Sequence, residues 1–195
     1  MSTIIGPITA EELLAMPDDG MDRELIHGEL RETPMTYRGQ SHSLLTSRIS
    51  YFLNLWLINH PTMRGAILDS DVAVRLCRDP ETAVGIDVAF FTEEVLKMTP
   101  PGQFLTEGPP VLAVEVMSPS DTLSGVADKV QLYLEYGVAV VWVVNPRFQT
   151  LTVHRPDSTS RSFDLPDDLE GGSELPGFRV PMTDVFKLIV GGRSV

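Results

Sequence analysis

The chain is short of cysteine, of basic residues and of long apolar runs. Cysteine occurs once, at Cys77, so no disulfide can form within the chain, and a reducing compartment, the cytoplasm, is expected. Lys and Arg number 15 against 27 Asp and Glu, a formal net charge of -12. That is the opposite of the basic footprint by which a protein grips a phosphate backbone nonspecifically. The most apolar stretch, "LLTSRISYFLNLWLI", is interrupted by Arg48 and by polar residues at helical intervals. It falls short of the about 18 continuous apolar residues that a membrane span needs. Neither the basic n-region nor the apolar h-region of a secretory signal opens the sequence, so no membrane partner and no export are expected.

Several catalytic signatures are missing too. No G-x-S-x-G elbow occurs, which disfavours a serine hydrolase. Neither a phosphate-binding P-loop nor a dinucleotide fingerprint is present. One cysteine cannot build a thiolate zinc site, and His154 has no partner at zinc spacing. Repeats and low-complexity tracts are also lacking. The acidity leaves room for an enzyme whose carboxylates gather metal ions, because a bound divalent cation inverts the local charge.

What remains is an ordinary globular composition, 43% hydrophobic and 22% charged over 195 residues, and one domain spanning residues 1–195 is expected. "TAEELLAM" predicts a short helix, with Thr9 and Glu12 spaced as a capping box. "RELIHGELRET" predicts a hairpin turning at His27-Gly28. From Ser43 to Asn59, apolar residues at helical intervals predict a long helix with one buried face, stopped by His60-Pro61. "DVAVRLC", "VGIDVAFF" and "VLAVEVM" predict three strands, "SGVADKVQLYLEYG" a helix closed by Gly137, and "VAVVWVVNP" and "TLTVHRP" two more strands. This order predicts an α/β fold, a mixed central sheet flanked by helices, with "VAVVWVV" buried on both faces. Thr99 to Pro110 and Pro166 to Gly177 read as loops, and a terminal helix is expected around Val185 to Ile189.

Two acids break the pattern. Asp87 lies inside "GIDVAFF" and Glu115 inside "VLAVEVM", both in strand-forming surroundings. An ionised carboxylate costs several kcal/mol to bury unless it is paired, hydrogen-bonded or bound to a metal. If the two strands are neighbours, the pair can share a divalent cation, which takes oxygen ligands. Pro119 ends the second strand, Ser118, Ser120 and Asp121 form the turn, and Lys129 follows two turns into the next helix. Two acids, a metal and a lysine make a hydrolytic set for phosphodiesters. The other reading of the acids is a buried pair satisfied by backbone amides or an arginine. For Lys129 it is a solvated residue or a partner of Asp128 or Glu135. For His42 a structural place competes with a cap or phosphate contact.

The ordered set "RELIHGEL", His42-Ser43, "IDVAFF", "VEVMSPS", "DKVQLYLEYGV" and "VVWVVNP", from about Ile8 to Arg155, resembles the Uma-type restriction endonuclease family, a branch of the PD-(D/E)XK nuclease superfamily. The resemblance implies a restriction-endonuclease-like α/β core with an N-terminal helix and β-hairpin. It implies that Asp87 and Glu115 are the paired acids binding Mg2+ or Mn2+, that Glu24 completes the metal shell, and that DNA is the substrate. The lysine that normally stands two residues after the second acid is replaced by Met117, and Lys129 looks like its migrated substitute. Tyr133, Gly137 and Trp142 match structural positions of the family. Ile86 stands where proline is usual, Asn145 where aspartate is frequent, and Val140-Val141 replace a more polar pair. Cleavage of both strands by a single-site nuclease calls for two sites, so a homodimer is expected. Two other readings stay open: a catalytically inactive nuclease-like module that binds a protein or nucleic acid, and a metal hydrolase of a small phosphorylated substrate. Glu24 also has a structural alternative, Arg31 on the opposite hairpin strand.

Overall fold

The computed structural model describes residues 8–35, 39–156 and 158–187. Helix α1 (Ala10–Leu14) starts on the expected capping box. Glu12 N–H donates to the Thr9 hydroxyl at 3.2 Å, and Thr9 N–H donates to the Glu12 carboxylate at 2.8 Å. Strands β1 (Met21–Ile26) and β2 (Glu29–Pro34) form the hairpin. Its turn residues His27 and Gly28 are both left-handed, φ 52° and 81°, which matches the twist of the paired strands.

Helix α2 (Gln40–Asn59) begins at Gln40 rather than at the expected Ser43. Its N-cap, Gly39, makes no side-chain bond, so the sequence carries no capping signal at the true start. His42, Leu45, Ile49, Leu53 and Trp56 form the buried face. Strands β3 (Gly65–Arg78) and β4 (Glu81–Thr92) are long and antiparallel. "DVAVRLC" predicts only the second half of β3, because "GAILDS" before it lacks alternation. A one-turn helix α3 (Glu93–Leu96) follows, then β5 (Thr106–Glu107) inside the segment read as loop, then β6 (Leu112–Val116).

Helix α4 (Leu123–Glu135) is capped by the Thr122 hydroxyl, which accepts from Gly125 N–H, and it closes through Gly137 at φ 91°. Strands β7 (Val140–Asn145), β8 (Thr150–His154) and β9 (Arg161–Phe163) extend the sheet. Strands β10 (Asp168–Glu170) and β11 (Arg179–Pro181) form a separate pair, and α5 (Met182–Val185) comes last. Of the terminal helix expected around Val185 to Ile189, Val185 is the last residue of α5, and Leu188 onward lies outside the described residues.

Among the described residues the main sheet has nine strands, ordered β2-β1-β4-β6-β7-β8-β9, with β3 and β5 running from the remaining edge of β4. It is mixed: β6 with β7 and β3 with β5 are parallel, the rest antiparallel. Val140 to Val144 of β7 are all buried, as the continuous apolar run predicts. Alternation along β6 sends Leu112, Val114 and Val116 into the core beneath α2, and Ala113 into the core beneath α4. Among the described residues no helix is long and apolar enough to cross a membrane.

One topological detail positions the buried acids. β3 occupies one edge of β4 over almost its whole length. The other edge is divided between two strands: β1 pairs at Ala83, and β6 pairs from Val88 to Phe90. Between those contacts, around Asp87, neither ladder claims β4.

Candidate active site

Asp87 sits in that gap. Its carboxylate Oδ2 accepts from Val116 N–H at 2.8 Å, replacing a ladder bond that β4 does not supply there, and lies 3.2 Å from His42 Nε2. On its other side β3 carries a bulge. The register steps from Asp69 opposite Val88 to Val72 opposite Ile86, so Ser70 and Asp71 together face Asp87. Both bulged residues are left-handed, φ 69° and 63°, a conformation that non-glycine residues adopt at a cost. Gly85 makes room for the bulge: a Cβ on it would come 2.5 Å from Asp71 Oδ1. Nothing in "LDSDV" announces this irregularity, since the run reads as continuing strand.

Glu115 faces α4 from β6, with 14% of its side chain exposed. Tyr133 OH donates to Glu115 Oε1 at 2.7 Å, and Lys129 Nζ lies 3.7 Å from Oε2. The same ammonium lies 3.1 Å from Glu24 Oε1 on β1. Lys129 thus bridges the two strands that share the edge of β4. Its partners are Glu24 and Glu115, not Asp128 or Glu135. Glu24 does face Arg31 in the hairpin register, yet its carboxylate reaches the lysine. The four residues singled out from the sequence, Glu24, Asp87, Glu115 and Lys129, gather around the gap in the sheet.

The electrostatics follow from this crowding. Burial pushes the Glu115 carboxyl up to about 7, and the charges of Asp87 and Glu24 push the same way, while the Lys129 ammonium and the Tyr133 hydroxyl oppose them. The negative charge of Glu115, then that of Glu24, holds Lys129 protonated far above the ordinary lysine range despite its burial, and Asp71 adds to the same field. Burial first, and Glu115 next, raise the Tyr133 phenol well above its usual value, so it remains a donor.

Two of these partners went unassigned at the level of sequence. Tyr133 reads there as a structural match, although its place four residues after Lys129 puts both on one face of α4. His42 carries no spacing signal that would tie it to Asp87.

The donor chemistry fits a hard divalent cation. All the candidate ligands are carboxylate oxygens, and Asp87, Glu115 and Glu24 carry more negative charge than Lys129 neutralises. Among the described residues no group of three His, Cys, Asp or Glu side chains closes into a ready ligand set. Mg2+ is commonly held by one or two carboxylates, with water and phosphate as its remaining ligands.

A nine-stranded mixed sheet, helices on both faces and two acids at a break in the ladders define a restriction-endonuclease-like fold. Residues 10–183 match the Uma2 family, described as "Putative restriction endonuclease", and the chain belongs to that family. Among solved structures it is similar to a protein from Anabaena variabilis ATCC 29413, described as a putative nuclease belonging to DUF820. The two share 21% identity with a TM-score of 0.74, over 92% of this chain and 98% of the other. No curated protein matches the chain.

Proposed function

We propose that the protein is a metal-dependent endonuclease that hydrolyses DNA phosphodiester bonds, folded as one domain over residues 1–195 and working as a cytoplasmic homodimer. The observation that carries this reading is the gathering of Asp87, Glu115, Glu24 and Lys129 where β1 and β6 divide the edge of β4. Asp87 and Glu115 would hold Mg2+ or Mn2+, with Glu24 completing the shell, directly or through water. Such an ion, when bound, lowers the pKa of a coordinated water and polarises a phosphoryl oxygen.

The chain's own groups supply the rest. Tyr133 holds Glu115 by its Oε1, leaving Oε2 turned toward Lys129. Lys129, kept charged by Glu115 and Glu24, places a cation beside the scissile phosphate, where negative charge grows in the transition state. Family membership supports the nuclease class. Two copies would supply one site per strand.

The test is cleavage of supercoiled plasmid DNA with Mg2+ or Mn2+. Asp87→Ala and Glu115→Ala should each abolish it while the folded protein survives. Cleavage at the parental rate in either variant removes that acid from the mechanism.

The -12 charge favours a second reading, a nuclease-like module that binds a partner without cutting. A parent protein that binds DNA or protein but shows no divalent-dependent cleavage under any condition would select it.

A further inference from the structure

The proposed mechanism gives no task to α2, which packs on the sheet face opposite α4. We propose, resting on that cation reading, that His42 is a positioning residue, which from the first turn of α2 fixes the Asp87 carboxylate so that Oδ1 is the oxygen turned to the metal.

His42 and Asp87 are 6% and 7% exposed, so each would be a costly buried polar group without the other. His42 Nε2 lies 3.2 Å from Asp87 Oδ2, and Val116 N–H donates to the same oxygen at 2.8 Å. Two donors from different elements, α2 and β6, therefore converge on a single oxygen, and neither uses Oδ1. A carboxylate held by one oxygen from two directions cannot spin about its terminal bond without losing both hydrogen bonds.

An ionised carboxylate can only accept, so the Nε2 that faces Asp87 carries the imidazole proton. Thr46 Oγ1, one turn along α2, lies 3.5 Å from His42 Nδ1. A hydroxyl proton directed at Nδ1 leaves the imidazole proton on Nε2, the arrangement that donates to a carboxylate. Carboxylates that ligate metals are themselves hydrogen-bonded by outer residues, which fix their orientation. His42 shares the buried face of α2 with Leu45 and Ile49 and is the residue of that face that meets Asp87.

The test uses three substitutions read by calorimetric Mn2+ binding at pH 8, with the thermal midpoint measured alongside. His42→Leu keeps bulk and removes the donor, His42→Asn carries an amide that stops short at the Nδ1 position, and His42→Gln places an amide nitrogen where Nε2 stood. Leu and Asn should weaken Mn2+ binding by about 10–100-fold, and Gln should restore it to within a fewfold of the parent. In an Asp87→Asn background, His42→Leu should cost nothing further, because the residue it serves is already altered.

Parental affinity in the Leu and Asn variants overturns the proposal. So does equal weakening in all three, which marks a packing role, or a loss that adds fully to that of Asp87→Asn. Should Leu fail to fold, Asn and Gln decide the matter. A parent protein that takes up no Mn2+ at all defeats the cation reading, and His42 with it. Parental uptake that His42→Asn leaves untouched defeats the His42 proposal alone.

Discussion

At the scale of single residues, the chemistry turns on how Glu115 tolerates its surroundings. A carboxyl free in the unfolded chain near 4.5 and raised to about 7 in the folded protein means that the folded state binds the extra proton between those values. The sign is therefore destabilising with rising pH. The contribution is fully present below about 4.5 and is lost by about 7, at a cost of roughly 3 kcal/mol. Denaturant unfolding of the metal-free protein should show stability falling over that window, and Glu115→Gln should flatten the fall and leave the variant the more stable of the two at pH 8. Under the proposed cation reading, divalent-ion affinity should move oppositely, rising with pH through about 7, since an ion held by Glu115 would require the ionised carboxylate. A parent and a Glu115→Gln protein with the same pH dependence of stability would show that the buried proton resides elsewhere. His42 is the counterexample to reading single residues from sequence. Its contact with Asp87 spans 45 positions, and only the packing of α2 over the break in β4 creates it.

At the scale of elements, the alternation of helices and strands was legible, because apolar periodicity reports directly on which face is buried. The hairpin at His27-Gly28, the capping box at Thr9 and the run "VAVVWVV" all stand where their local patterns put them. The acids Asp87 and Glu115 were legible for a related reason, as charges inside strand-forming runs. The unread parts depend on partners distant in sequence. β5 exists only because β3 offers it an edge at Val74 and Arg75, and the bulge at Ser70–Asp71 exists only against Gly85 and Asp87. A buried cation ties several of these elements together. Arg75, with 1% of its side chain exposed, contacts Glu11 on α1 at 2.5 Å, Glu81 on β4 at 2.8 Å and Glu107 on β5 at 2.7 Å. Removing one partner of such a network leaves uncompensated buried charge. Arg75→Met should lower unfolding stability by about 3–5 kcal/mol, measured by chemical denaturation, and a loss below about 1 kcal/mol would show that the three glutamates are adequately solvated without it.

At the scale of the whole molecule, the proposed function asks a chain of net charge -12 to approach a polyanion, which calls for its carboxylates to be neutralised. Divalent ions should therefore stabilise the protein specifically, beyond their ionic strength. At a hundred times its dissociation constant, Mn2+ should add about 2.7 kcal/mol, a rise of about 5–10 °C in thermal midpoint for a chain of this length. NaCl of matched ionic strength should not reproduce the rise, and Asp87→Asn should lose most of it. An identical response to both salts would place the effect on the surface at large. The division of one edge of β4 between β1 and β6 has a mechanical corollary. Glu24 rides on the hairpin wing and Glu115 on the parallel-strand wing, while Lys129 spans the distance between them. Any flexing of the sheet about β4 changes that span directly, so the paired contacts of Lys129 act as a strut that holds the two wings at a fixed separation.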